Sequence, residues 1–367
     1  MSYSGNKGEW SEIYALLKLA SDKGVFAADS DLNKIADLYY PILKILRSEL
    51  EGTFEYHLTS KIVIKNSSDE VLSDYSFEEF SEKAQKLLVR IQEATGSSNR
   101  FEEFENFLNQ ISCSTLKAQS NEKRDITLVV HDPVTHHEPE LGFSIKSKLG
   151  GDSTLLNSSG ATNFIFKIKG SNFSKEEIDK INSIDGRGKI QARVEKIKKM
   201  GGKFEFKSVS SEIFEQNLRV IDSMLPEILA EMLLIYFSGK GNQVQDIIER
   251  LNEENPCNFP IGNGHPFYDY KIKRLLHDVS LGFTPASKWT GFFDATGGYL
   301  IVKEDGEILC YHIYNANEFQ NYLVNNTRLE SPSSSRHGYG ELYTSEQDLL
   351  KEEASFFFNL NLQVRFT

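Results

Sequence analysis

Two short segments carry side-chain types suited to chemistry on a phosphate ester. Asp125 opens the alternating run DITLVVHD, and Lys146 follows Ser144 by two positions in the second run, LGFSIKS. A carboxylate binds the hard cation Mg²⁺ through oxygen, the cation offsets charge building on the phosphate, and a nearby ammonium orients or activates the attacking water. Asp125 and Lys146 suit those roles in metal-assisted phosphodiester hydrolysis. One carboxylate makes a poor magnesium site, however, and the position two before the lysine holds the hydroxyl of Ser144. Glu9 and Glu12 are the available second acids; the alternative is that both only complement a helix dipole. Equally, an Asp at a strand start and a Lys on a strand are ordinary residues of an antiparallel sheet. His131, just before the intervening segment Pro133 to Pro139, and His136 and His137 within it read as turn residues, because no further ligand follows at helical or knuckle spacing.

Local patterning supplies the elements that must position these groups. Residues 125–132 and 141–147 alternate with period two, which predicts an antiparallel hairpin. If Asp132 faces Leu141, Asp125 lies opposite Lys148 and diagonally beside Lys146, and Ser144 and Lys146 share a face. Trp10, Ile13, Tyr14 and Leu17 recur at helical spacing, predicting a helix over Gly8 to Ala20 that brings Glu9 and Glu12 with it. Further helices are predicted over Leu32 to Leu50 and Phe77 to Ala94, with a strand pair within Thr53 to Lys65. A polar loop, Gly150 to Thr162, leads to a strand over Asn163 to Lys169. Later come a helical pattern from Ser211 through Tyr236, another near Val244 to Asn252, a hairpin over Tyr299 to Tyr314 turning at Asp305-Gly306, and a last apolar strand.

The composition bounds what such a site can serve. With 367 residues, 39% hydrophobic, 25 Phe and 15 Tyr, the chain can bury a sizeable core and reads as about two domains. Forty-one basic against 53 acidic residues, net −12, argue against coating nucleic acid or anionic membrane with the whole surface. Positive charge is nevertheless concentrated at Arg187 to Lys207, where eight basic residues meet only Glu195 and Glu205 on a predicted helix and the strand Lys203 to Lys207. That stretch is either a solvated face or a track of phosphate contacts. Cys113, Cys257 and Cys310 have no paired ligand spacing, MSYSGNKGEWSE shows no secretory pattern, and the apolar run Leu225 to Phe237 is broken by Glu227 and Glu231. A reducing, cytoplasmic setting without membrane contact is expected.

Several segments together resemble the HpaII-type restriction endonucleases: GNKGEWSEIY, DITLVVHD, ELGFSIKSKLGGDSTLLNSSGATNFIF, TGGYLIVKEDGEILCYHIYN and FFNLNLQVRF. The resemblance runs from the first helix to the last strand, and GFSIKS with the STLLN and TNF segments after it is its most specific part. It implies an α/β (α+β) fold on a PD-(D/E)XK nuclease core, a mixed central sheet flanked by helices, with added helical and hairpin elements. Asp125 matches the motif's first acid and Lys146 its lysine. Ser144 departs from the Asp or Glu expected there, a variation in which an acid from elsewhere takes over. The match of KGEWSE to first-helix motifs, with the glutamate four residues after the glycine, selects Glu12.

The resulting expectation is a type II restriction endonuclease cutting double-stranded DNA at a short palindrome, for which the family implies 5′-CCGG-3′, and leaving 5′-phosphate ends. Asp125, Glu12 and the carbonyl of Ile145 would hold Mg²⁺, with Ser144 beside them, and Lys146 would position the water. DNA contacts are expected from Lys148, Ser153, Thr154, Asn157, Ser158 and Asn163 after the catalytic strand, and from Lys7, Arg336 and His337, with Arg336 as a base reader. Residues 1–210 are expected to form the nuclease core and 211–367 a recognition or dimerisation region. A palindromic target favours a homodimer, with a DNA methyltransferase as genetic partner. The alternatives are a structure-specific repair or recombination nuclease and a non-catalytic DNA-binding protein.

Overall fold

The computed structural model describes residues 3–117, 124–132, 136–344 and 355–367. The chain divides into two compact units, Met1–Ser153 with Phe292–Tyr322, and Thr154–Gly291 with Leu323–Thr367. The expected boundary near residue 210 falls inside the second unit, because residues 163–169 pair with 203–209 on one side and with 356–361 on the other, while the hairpin near 300 returns to the first.

The first unit begins with α1 (Lys7–Asp22), β1 (Gly24–Ala28), β2 (Lys34–Glu49), β3 (Gly52–Leu58), β4 (Ile62–Lys65), β5 (Val71–Tyr75), α2 (Phe77–Glu93) and α3 (Glu102–Gln110). It continues with β6 (Ile126–Val130) and β7 (Glu140–Ser147). The second unit supplies β8 (Thr154–Leu156), β9 (Asn163–Lys169), α4 (Lys175–Asn182), α5 (Lys189–Lys199), β10 (Lys203–Val209), α6 (Glu212–Ile221), α7 (Leu225–Phe237), α8 (Val244–Glu254) and α9 (Phe267–Leu281). The chain then re-enters the first unit with β11 (Gly298–Val302) and β12 (Ile308–His312), and ends in the second with β13 (Thr327–Leu329), β14 (Leu342–Tyr343), β15 (Phe356–Asn361) and β16 (Val364–Phe366).

The sheet of the first unit is mixed, in the order β1-β12-β11-β7-β6-β2-β3-β4-β5, and β1 also pairs with β2. The extra pairing closes β1, β12, β11, β7, β6 and β2 into a six-stranded ring from which β3, β4 and β5 extend. Strand β2 makes closure possible, because its first half pairs with β1 and its second half with β6. The sequence predicts a helix there, and the structure corrects this. Tyr40 and Ile42 are buried in one phase, the register shifts between Ile42 and Lys44, and Ile45, Arg47 and Glu49 are buried in the other. The bulge inserts one residue between two period-two runs and so produces the three-residue spacing of a helix. Pro41, unfavourable inside a helix, sits in this strand with its carbonyl accepting from His131 N–H at 2.8 Å.

Helix α1 is packed against β7, β1, β2 and β12 and against α2. Trp10, Ile13, Tyr14, Leu16 and Leu17 are fully or almost fully buried, each such side chain stabilising by roughly 1.5–3 kcal/mol or more. Trp10 Nε1 donates to Asn99 O at 3.0 Å and Tyr14 Oη to Gly306 O at 2.6 Å. The second contact explains the Asp305-Gly306 turn between β11 and β12. Gly306 has φ of +87°, and a Cβ there would stand 2.7 Å from Tyr14 Oη.

In the second unit, β10-β9-β15-β14 and β13-β16-β8 form two sheets. Phe164, Phe166, Phe204, Phe206 and Phe358, at every second position of β9, β10 and β15, pack mostly edge to face, with Phe204 and Phe358 rings 5.7 Å apart. The helical pattern expected through Tyr236 is interrupted between α6 and α7, where Pro226 begins the second helix.

Candidate active site

The site is assembled from the N-terminal end of α1 and the paired ends of β6 and β7. Asn6 caps α1 through a reciprocal box: its side chain accepts from Glu9 N–H at 3.0 Å, and Glu9 Oε2 accepts from Asn6 N–H at 2.8 Å. Glu9 is thus engaged in starting the helix. Glu12, three residues on, is buried. Ser11 Oγ lies 2.8 Å from Ser147 Oγ and ties the same helical turn to the end of β7.

The hairpin forms in a register different from the expected one. Leu128 pairs with Leu141 and Ile126 with Phe143, so Asp125 falls against Ser144 instead of Lys148. Strand β6 ends earlier than its pattern suggests, because Asp132 turns inward to the connecting segment, its N–H donating to His137 O and its carbonyl accepting from His136 N–H, both at 2.9 Å. Of the turn expected at 133–139, residues 133–135 lie outside the described residues. The slip is four residues, an even number, so every side chain keeps its face. Lys146 remains a diagonal neighbour of Asp125, approached from the other side.

Asp125 N–H donates to Phe143 O at 2.8 Å, while its Oδ2 accepts from Ser144 Oγ at 3.0 Å and from Ile145 N–H at 2.7 Å. Ser144, where the motif leads one to expect a carboxylate, is therefore a donor that orients Asp125. Lys146 is partly buried, with its ammonium 5.6 Å from the centre of the Tyr299 ring. Burial holds the Lys146 pKa below the ordinary lysine value, the negative charges of Asp125 and Glu12 oppose that shift, and the positive charge of Lys117 adds to it. Glu12, Asp125, Ile145 and Lys146 line one cleft of about 770 Å³, together with Lys7, Lys117 and Ser153. Glu9 also reaches this cleft.

The remaining expected residues are distributed differently. Lys7 Nζ donates to Gln92 O at 3.2 Å, and Lys148 is fixed by its N–H to Val302 O at 2.8 Å. Within the second unit, Thr154 belongs to β8 beside Arg365, and Asn157 is exposed. Arg336 is exposed on the short helix Ser334–His337, while Ser158 Oγ is 3.3 Å from His337 Nε2. Asn163 is buried, its amide donating to His337 O at 2.8 Å and its carbonyl accepting from Asn361 Nδ2 at 2.7 Å. It holds segments together from inside, where the sequence expects a DNA contact. Lys117 and Tyr299 were not singled out by the sequence, since neither shares a spacing pattern with Asp125 or Lys146.

The sequence profile of the HpaII restriction endonuclease family matches residues 6–366, from the cap of α1 to the end of β16. This chain belongs to the HpaII restriction endonuclease family. Type II restriction enzyme HpaII of Haemophilus parainfluenzae is 45% identical over 372 residues, which cover 99% of each chain. No solved structure matches. As a member of the HpaII family the chain is a site-specific deoxyribonuclease, a hydrolase that binds DNA. Among its described residues, no helix is long and apolar enough to cross a membrane.

Proposed function

We propose that this HpaII-family enzyme cuts duplex DNA in the cleft of its first unit, with β6, β7 and α1 as a PD-(D/E)XK core elaborated by the closed ring. The convergence of Asp125, Glu12 and Lys146 on one cleft carries the reading. Asp125, Glu12 and the Ile145 carbonyl would hold Mg²⁺. All three offer hard oxygens, and Mg²⁺ is commonly bound by one or two carboxylates with water and substrate phosphate completing its shell. Among the described residues no three His, Cys, Asp or Glu side chains gather round one point, so the fit rests on two carboxylates and a carbonyl. When bound, the ion would offset charge on the reacting phosphate.

The chain's own groups do the rest. Ser144 and the Ile145 N–H occupy Asp125 Oδ2 and fix the direction of Oδ1. Lys146, held beside the two acids, positions a water in line with the P–O3′ bond. The water oxygen bonds to phosphorus opposite the 3′ oxygen, the P–O3′ bond breaks, the water gives up a proton to solvent and the 3′ oxygen takes one up, giving 5′-phosphate and 3′-hydroxyl ends. Recognition and dimerisation are assigned to region 211–367, less the β11–β12 hairpin, with Arg336 as base reader of a 5′-CCGG-3′ palindrome, a homodimer, a cytoplasmic setting and a partner methyltransferase. Incubating the purified chain with Mg²⁺ and phage DNA should give discrete bands. A smear, or nicking confined to branched substrates, would replace this reading with a repair nuclease, and intact DNA would remove catalysis.

The basic stretch contributes a second expectation. Arg193 is buried, its guanidinium donating to the carbonyls of Asn182, Ile184 and Gly340, and Lys189 and Lys199 pair with Asp185 and Glu195. The charge available for phosphates is therefore less than the sequence count. Replacing Lys196, Lys199 and Lys203 with Gln together should flatten the salt dependence of binding by up to ~0.9 for each phosphate no longer neutralised, for cognate and non-cognate duplexes alike. An unchanged slope returns the stretch to a solvated face.

A further inference from the structure

Three lysines line the cleft of the first unit, and two already have settled surroundings. Lys7 reaches the Gln92 carbonyl and Lys146 lies over Tyr299. Lys117 is exposed, and among the described residues its ammonium enters no hydrogen bond or ion pair. Its backbone, by contrast, is held firmly. At the end of β2, Arg47 and Glu49 form an ion pair at 2.6 Å with both side chains buried. The Arg47 guanidinium donates to Thr115 O at 2.6 Å and Leu116 O at 2.9 Å. Glu49 Oε2 accepts from the hydroxyls of Ser114 at 2.7 Å and Thr115 at 2.8 Å, and Thr115 Oγ1 also lies 2.6 Å from Lys117 O.

A buried ion pair carries a desolvation cost that apolar packing of the same volume avoids. This one directs its remaining hydrogen bonds onto Ser114, Thr115 and Leu116, the residues immediately before Lys117. The consequence is a backbone hydrogen-bonded up to Lys117 beneath a solvated cation, on the wall of a cleft that also presents Glu12 and Asp125. A compact ammonium on a flexible stem suits a phosphate oxygen as a point charge. We propose that Lys117 is a further phosphate-binding residue of this cleft, contacting a non-bridging oxygen of the DNA backbone beside the scissile bond. The inference rests on the cleft's assignment to DNA, and its test separates the two.

The test uses the full chain and a short duplex containing 5′-CCGG-3′ in Ca²⁺, with affinity followed by fluorescence anisotropy across a range of salt. Lys117→Gln should lower the slope of log K against log salt by ~0.9, the value for one neutralised phosphate. It should also weaken binding about tenfold, the loss of one charge-assisted hydrogen bond. Lys117→Arg keeps the charge and should keep the slope. A wild-type slope in Lys117→Gln, or an equal fall in Lys117→Arg, overturns the proposal. If the slope falls as expected while wild-type enzyme leaves DNA uncut in Mg²⁺, the phosphate contact stands and the nuclease reading of the cleft fails.

Discussion

Asp125→Ala and Lys146→Ala enzymes are expected to bind duplex DNA in Ca²⁺ and to leave it uncut in Mg²⁺. Each variant removes a different part of one geometry. Asp125 is anchored through one oxygen to the backbone and side chain of β7, so its loss removes the preoriented carboxylate proposed as a metal ligand while the β6–β7 ladder remains. Lys146 is a partly buried ammonium lining the same cleft as Asp125 and Glu12, and removing it takes away the group proposed to place the water. Losses of ~10²-fold or more are the scale for a positioned catalytic group. Ca²⁺ occupies oxygen ligands without supporting the same activation, so binding persists. Melting temperature and Ca²⁺-supported affinity near wild type, with single-turnover cleavage below a few per cent, is the expected pattern. Cleavage well above that level in either variant means that the active site lies elsewhere.

Glu12→Gln should be nearly as damaging, and Glu9→Gln should not. The two glutamates sit three residues apart on one helix but have different tasks. Glu9 Oε2 accepts from the Asn6 N–H, and glutamine keeps an acceptor there, so the cost is confined to ~0.3–1 kcal/mol of helix-dipole interaction. Glu12 is buried near Lys146 and Asp125, and glutamine keeps its size while removing the anionic oxygen proposed to hold Mg²⁺ where Ser144 offers no carboxylate. Cleavage and thermal melting of the two single variants decide the matter. A dead Glu9→Gln beside an active Glu12→Gln transfers the ligand to Glu9. Activity in both returns the first-helix acids to the cap and the dipole.

Much of the candidate site was legible before any fold was known. The apolar spacing of Trp10, Ile13, Tyr14 and Leu17 describes α1, the alternation around Lys146 describes β7, and an even register slip leaves Asp125 and Lys146 neighbours because side chains alternate with period two. The hairpin at Asp305-Gly306 is likewise local, a tight turn between two apolar runs. Strand β2 was not legible, because its bulge copies helical spacing, and α9 was not singled out although Tyr268, Ile272, Leu275, Leu276 and Val279 recur at helical spacing.

The sequence by itself therefore determined the elements whose information is contained within one helix or one strand pair, together with the residue types able to bind metal and phosphate. Family membership followed from the same stretches. Tertiary structure alone decided the closure of β1 on β2, the return of β11 and β12 to the first unit, the burial of Asn163 and the arrival of Lys117 at the cleft. These depend on pairings between residues far apart in the chain, where burial and hydrogen bonding are settled by packing of the whole unit and leave no periodic trace in the local sequence.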